Sequence, residues 1–162
     1  MIEMQVKGLT SDALRKQTIM WLKSVRDDTM LPIIIGKTEA ASILATLTKY
    51  RSDRPTTYDF FVALMEKLGA KVQEVQIVDL KDMTFYAQIV ISSVQETICI
   101  DARPSDSIAL AIRCGAPIFL SEKVLSKAGL MVKQGKAGLE FQTKSPHSET
   151  LCRSGSMTSR MP

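Results

Sequence analysis

Apolar residues recur along this chain first with period two, then with a helical period, then with period two again. The first stretch, residues 2–9, alternates at Ile2, Met4 and Val6, which predicts a strand with one buried face. Ser11 to Lys16 is polar and predicts a turn or loop. Gln17 to Val25, apolar at Ile19, Met20, Trp21, Leu22 and Val25, predicts a second strand. Arg26-Asp27-Asp28-Thr29 forms a charged hairpin-type connection, and Leu31 to Ile35 is a short β-branched third strand. Pro32, with no N–H to give a ladder, puts the start of that strand at an edge or bulge.

The period then changes. Ala40, Ile43, Leu44 and Leu47 follow helical spacing within Gly36 to Lys49. A second helix is predicted over Thr57 to Leu68, with Phe60, Phe61, Leu64, Met65 and Leu68 as its inner face. Thr56 with Asp59 three residues on resembles a capping box, and Gly69 follows as a C′ residue. Lys71 to Leu80, Phe85 to Ile91 and Glu96 to Asp101 are three strand patterns with short connections, an antiparallel meander. Pro104 starts a third helix that Gly115 ends. Pro117 to Leu120 is a short apolar run, and Ser121 to Lys127 adds one more helical turn. Leu130-Met131-Val132 and Leu139-Glu140-Phe141 form a weak hairpin around Gly135, and from Gln142 onward no period survives. The class is α+β, an antiparallel-rich or mixed sheet of about six strands with about three helices.

With 162 residues the chain has room for one core and not two comfortable domains: residues 1–127 form the domain, and 128–162 a C-terminal extension that is mostly disordered. No apolar run approaches the roughly 20 residues that span a membrane. The strand pattern starting at Met1-Ile2-Glu3-Met4 leaves no room for a secretory signal, so the cytoplasm is the expected compartment and no membrane is expected as partner. Cys99, Cys114 and Cys152 lack C-x-x-C spacing, and the sole histidine, His147, lies in the tail; Cys99 and Cys114 are expected to pack as small hydrophobes. The formal net charge is +4, but residues 128–162 hold five Lys and Arg against two Glu, which leaves only +1 for the rest. Strong phosphate-backbone binding therefore needs a local patch or a bound metal ion, because no basic domain exists. Phosphate-loop, dinucleotide and Ser/His/Asp or Cys/His patterns are absent.

Chemistry concentrates at the helix starts. Glu39 follows Gly36 by three, Asp59 follows Thr56 by three, and Asp106 follows Arg103 by three. A carboxylate in a first turn favours the helix dipole by roughly 0.3–1 kcal/mol, which accounts for each acid taken singly. It does not account for Arg54 and Arg103, cations placed just before two of these starts, where the dipole mildly disfavours them. Asp101 adds an acid at the end of the last meander strand. Two arrangements follow: salt bridges tying helices to sheet, Arg103 with Asp59 or Glu39 for instance, or a mixed site in which carboxylates hold a hard divalent cation and arginines hold a phosphate. Asp79 and Asp82 flank a turn, and Lys71, Lys81, Lys123 and Lys127 look like solvated face charges.

Taken together, Leu31-Pro32-Ile33-Ile34-Ile35-Gly36 with Glu39-Ala40, Arg54-Pro55-Thr56-Thr57-Tyr58-Asp59, Leu68-Gly69-Ala70, Asp82-Met83-Thr84-Phe85-Tyr86-Ala87, Asp101-Ala102-Arg103-Pro104-Ser105-Asp106-Ser107-Ile108-Ala109-Leu110-Ala111 and Gly115-Ala116-Pro117-Ile118-Phe119 resemble the bifunctional nuclease family over about residues 1–127. The resemblance implies a compact α+β domain that self-associates as a homo-oligomer and metal-dependent cleavage of DNA and RNA. Its motif positions here are Glu39, Arg54, Asp59, Asp101, Arg103 and Asp106. Glu39, Asp59, Asp101 and Asp106 would hold Mg²⁺ or Mn²⁺, while Arg54 and Arg103, with Asp59, Asp101 and Asp106, would serve the phosphodiester chemistry. Tyr58 stands where the family usually carries histidine, and a tyrosine, with an unperturbed pKa of about 10, is a poor base near neutral pH. A non-enzymatic oligomeric binding or regulatory module with a structural acid/arginine network is the alternative, and a site for a small phosphorylated ligand a third.

Overall fold

Two antiparallel three-stranded units share one sheet. The computed structural model describes residues 1–12, 15–128, 130–135 and 138–143. The first unit is β1 (Ile2–Asp12), β2 (Gln17–Ser24) and β3 (Thr29–Ile35); the second is β4 (Lys71–Lys81), β5 (Thr84–Ser92) and β6 (Thr97–Ala102). Between them in space lies β7 (Ile118–Leu120), antiparallel to β1 and parallel to β4. The order is β6-β5-β4-β7-β1-β2-β3, and a hairpin of β8 (Leu130–Gly135) and β9 (Gly138–Thr143) continues it beyond β3. The result is a mixed sheet, with four helices: α1 (Lys37–Leu47), α2 (Thr57–Lys67), α3 (Pro104–Cys114) and α4 (Glu122–Ala128). No helix among the described residues is long and apolar enough to cross a membrane.

The class, the β4-β5-β6 meander, the hairpin around Gly135 and the first three helices are those the periodicity predicts. Three residues of β7 are too few to show a period, yet Ile118 and Leu120 are buried and complete both ladders. The turn predicted over Ser11 to Lys16 is shorter, since β1 continues to Asp12 after a register shift between Val6 and Gly8. Pro32 lies inside β3, opposite Trp21; β8 pairs only with Thr29 and Met30, so on that side Pro32 meets no ladder among the described residues. Residues 144–162, with His147 and Cys152, lie outside the described residues.

α3 is the centre of the fold. Pro104 occupies its first turn, where a missing N–H costs nothing, and Gly115 ends it in the left-handed region at φ 67°. Ile108, Ala109, Leu110 and Ala111 are all buried, as are Ser105 and Ser107. The small residues let β4, β5, α1 and α2 all approach this helix. α1 also reaches β1 and β2.

Expectations about burial fail on α2, on α1 and at two cysteines; α2 docks on α3. Tyr58, Val62 and Met65 are the α2 side chains packed against the core, while Phe60, Phe61, Leu64 and Leu68 are exposed. On α1, Ala40 and Ile43 are buried but Leu44 and Leu47 are exposed. β6 is the outermost strand, and Ile98 and Ile100 are exposed on it. Cys99 and Cys114 are exposed thiols and do not pack as core hydrophobes.

The lysines near Asp79 are not independent face charges either. Lys123, Lys81 and Lys127 lie 3.0, 3.5 and 3.6 Å from its carboxylate, and Lys127 also donates to the Leu80 carbonyl at 2.9 Å, which ties α4 to β4. The Lys123 hydrogen bond, then that of the Leu80 N–H, lowers the Asp79 carboxyl to about 2. A depressed carboxyl stabilises the fold above its unfolded value of about 3.9, and the contribution disappears as pH falls from there through about 2. Melting temperatures of wild type and Asp79→Asn are therefore expected to differ at pH 6 and to converge as pH approaches 2. Curves that stay parallel over that range would refute the tie.

Candidate functional site

The first turns of three helices converge at the start of α3. Arg103 is its N-cap, in extended conformation at φ −67° and ψ 144°, so its side chain leaves the helix axis and stands 68% exposed. The guanidinium grips Asp106 through Nε to Oδ2 at 2.7 Å and Nη2 to Oδ1 at 3.1 Å. Nη2 also donates to Glu39 Oε1 of α1 at 2.9 Å. From α2, the Tyr58 hydroxyl donates to Asp106 Oδ1 at 2.5 Å. Burial works to raise the Asp106 carboxyl, but the hydrogen bonds from Arg103 and Tyr58 outweigh it and hold the group below the usual carboxylate range. Tyr58 moves the other way: burial first, then its bond to the Asp106 carboxylate, pushes its hydroxyl far above the ordinary value. Tyr58 is thus a fixed donor near neutral pH and cannot serve as a base.

Gly36 belongs to this arrangement. A Cβ at that position would overlap the Glu39 carboxylate, which folds back over the helix start. Because the obstacle is the end of a flexible side chain, Gly36→Ala is expected to fold with Glu39 displaced from Arg103. Denaturation of the single and double variants should show coupling on the order of 1 kcal/mol, with Gly36→Ala costing less in a Glu39→Ala background. Additive effects would mean that Gly36 does not act through Glu39.

A second centre lies further along α3, on the other side of the Tyr58 ring. Arg113, its side chain only 9% exposed, donates from Nε to Asp59 Oδ1 at 2.9 Å, from Nη1 to the Ala109 carbonyl at 3.0 Å, and from Nη2 to Ser42 Oγ at 2.9 Å. Its guanidinium lies 5.2 Å from the centre of the Tyr58 ring. Asp59 Oδ2 accepts the Thr56 hydroxyl and N–H, and these bonds, with Arg113, hold its carboxyl below the ordinary range. Tyr58 therefore joins the two centres, ring on Arg113 and hydroxyl on Asp106. Above Ile112 and Arg113 a cleft of about 950 Å³ opens between α1 and α2, with Lys49, Tyr50 and Arg51 on its lining.

The six residues expected to form one site divide. Glu39, Arg103 and Asp106 meet; Asp59 belongs to the Arg113 centre. Asp101 is exposed on β6 and Arg54 exposed before α2, and neither makes a side-chain hydrogen bond or ion pair with the described residues. Of the two ion pairs anticipated for Arg103, Glu39 is real and Asp59 is not. Arg113 was not anticipated: its last-turn position reads as an ordinary helix-end cation, and only its spacing of four from Ala109, on the buried face, marks it. Among the described residues, no three His, Cys, Asp or Glu side chains gather where one cation would sit. Arg103 stands between Glu39 and Asp106 and engages both Asp106 oxygens, so this donor set does not fit Mg²⁺ or Mn²⁺.

The model of the bifunctional nuclease domain matches residues 20–133 of this chain. The chain belongs to the bifunctional nuclease domain family. The matched segment contains Glu39, Tyr58, Asp59, Asp101, Arg103, Asp106 and Arg113. An uncharacterized protein of Mycobacterium tuberculosis is 39% identical over 130 residues, 80% of this chain and 77% of its own length. Bifunctional nuclease 1 of Oryza sativa subsp. indica is 34% identical over 110 residues, 66% of this chain and 33% of the rice protein. Bifunctional nuclease 1 of Arabidopsis thaliana is 29% identical over 126 residues, 75% of this chain and 38% of that protein. This bifunctional nuclease domain chain thus spans between a third and two fifths of those two plant relatives.

Proposed function

We propose that the protein hydrolyses phosphodiester bonds in nucleic acid, DNA or RNA, with Arg103 receiving the phosphate. One observation carries the reading: the Arg103 guanidinium is held in place by Asp106 and Glu39 through Nε and Nη2, while its exposed Nη1 donates to nothing among the described residues. An oriented arginine with a free edge suits the charge that grows on a phosphoryl oxygen during displacement. Kinship with proteins named bifunctional nuclease supplies the substrate class. The neighbouring cleft suits a single strand, with Lys49 and Arg51 for phosphates and the exposed Tyr50 for stacking on a base.

In this reading Asp106 positions Arg103, and Tyr58 positions Asp106. Glu39 takes a proton from the attacking water as the water oxygen bonds to phosphorus; the leaving sugar oxygen takes its proton from solvent. No step is assigned to Mg²⁺ or Mn²⁺, because Arg103 stands between Glu39 and Asp106 and engages both Asp106 oxygens. The test is cleavage of end-labelled single- and double-stranded DNA and RNA, with chelator and with added Mg²⁺ or Mn²⁺. Single strands are expected to be cut faster than duplexes, and all substrates remaining intact under every condition would sink the reading. The second reading, a non-enzymatic module, draws on the same bonds: Arg103 and Tyr58 tie α1, α2 and α3 together and would do so without any substrate.

A further inference from the structure

Among the described residues, β6 ends the sheet with an open edge of an unusual kind. Natural edges are blunted by lysine, proline, a bulge or a covering element. The opposite side of the first unit follows that rule, with Pro32 in β3 and β8 beside it. β6, Thr97-Ile98-Cys99-Ile100-Asp101-Ala102, has no lysine or proline, its register with β5 runs without interruption from Thr97 to Ala102, and Thr97 to Asp101 are all exposed. Ile98 and Ile100 stand opposite Ile91 and Ile89, two core residues, so they extend the core face of the sheet past its covered part.

An apolar surface of matching size lies on the same face. Phe60, Phe61, Leu64 and Leu68 of α2 are 59, 47, 40 and 73% exposed, and Val94, in the β5–β6 turn, is 93% exposed. Val94 lies within contact distance of a Cβ placed on Gly69, just beyond α2, which makes helix end and turn neighbours. With Ile98 and Ile100 these side chains leave roughly 700 Å² of apolar area uncovered, above the ~300–600 Å² patch of an ordinary monomer and close to the ~800 Å² each partner gives a standard interface.

The strand's hydrogen-bond phase identifies the occupant. The Ser93 N–H donates to the Glu96 carbonyl at 2.8 Å across the two-residue turn, so Ser93 and Glu96 are a hydrogen-bonded pair. Alternating from there, Ile98 and Ile100 spend their backbone groups on β5, while Thr97, Cys99 and Asp101 point theirs outward. A second β6 running antiparallel about a two-fold axis at Cys99 meets all of these groups. It sets Cys99 against Cys99, Ile98 against Ile100 on the core face, and the exposed carboxylate of Asp101 against the hydroxyl of Thr97. No like charges face each other, and the side-chain parity matches.

We propose that β6 is the seam of a two-fold homodimer, in which the sheet continues from one copy into the next and the α2 phenyl faces close over the join. The proposal is independent of the nuclease reading, since neither the edge nor the phenyl face includes Arg103, Glu39 or Asp106. It is tested on the full-length chain by light scattering after size exclusion. Wild type is expected at twice the 17.9 kDa chain mass. Cys99→Pro removes one outward N–H and no N–H used by β5, and it is expected to run at the single-chain mass with an unchanged far-UV circular dichroism spectrum. Phe61→Glu, on an already exposed position, is expected to give the same dissociation if the proline variant fails to fold. In a Cys114→Ser, Cys152→Ser protein, mild oxidation is expected to produce one disulfide-linked dimer, because directly opposed residues in that position have Cα atoms about 5.5 Å apart. A wild-type protein at the single-chain mass overturns the proposal, as does a wild-type mass retained by both Cys99→Pro and Phe61→Glu, or the absence of a cross-linked dimer.

Discussion

Arg113→Ala is expected to lower unfolding free energy by about 2–3 kcal/mol, roughly 5–10 °C in melting temperature for a chain of this length. The side chain is nine-tenths buried and crosses from α3 to both flanking helices, donating to Ser42 on α1 and Asp59 on α2. Its removal takes away charge-assisted hydrogen bonds and the stacking of its guanidinium on the Tyr58 ring. The loss stays below the 3–5 kcal/mol that follows breaking a fully buried pair, because Asp59 is 45% exposed and water can re-solvate it. Arg113→Lys should recover little, since one ammonium cannot address Asp59, Ser42 and Ala109 together. Urea denaturation of the three proteins checks this, and equal midpoints would show that α1 and α2 are held by other contacts.

Arg103→Ala is expected to do the reverse: cleavage falls by about 10²–10³-fold while stability changes by less than about 1 kcal/mol. The guanidinium is largely exposed, so its ion pairs are screened and its deletion leaves no cavity. Its Nη1 is the donor the proposed transition state needs, and Arg113 is no substitute, since it is buried and turned to Asp59, Ala109 and Ser42. Arg103→Lys should keep most of the stability but restore only a small part of the rate, because a point charge cannot hold Asp106 through a fork and present a free edge at once. The architectural reading makes the opposite forecast, with stability lost in Arg103→Ala and any cleavage unchanged. Melting curves and rates measured on the same preparations therefore separate the two.

Much of the secondary structure was legible because backbone preferences act locally. Pro104 and Gly115 mark the ends of α3, and the alternation in β4 and β5 marks two strands, whatever surrounds them. What periodicity cannot say is which apolar face meets the core. α2 carries two apolar faces, one through Tyr58, Val62 and Met65, the other through the phenylalanines. The bulkier face is the exposed one here, because α2 rests on α3 and not on the sheet. The site divides along the same line. Arg103 and Asp106 are three residues apart, so helix geometry alone predicts their contact, and Glu39 joins because helix starts cluster. Arg113 and Tyr58 depend on the packing of three helices, and spacing along the chain carries no trace of that.

The three residues of β7 also set the order in which this molecule can be made. They join the first antiparallel unit to the second, yet they come after 117 residues of chain, and their partners include Ile2 and Met4 at its very beginning. A nascent chain can close each unit on its own, but β1 and β4 must wait with bare edges until Ile118 to Leu120 emerge. Contacts this distant in sequence slow folding, and during that wait each half presents the kind of strand edge that neighbouring chains can capture. A three-residue strand synthesised after both units is thus the one that turns two sticky halves into a single sheet.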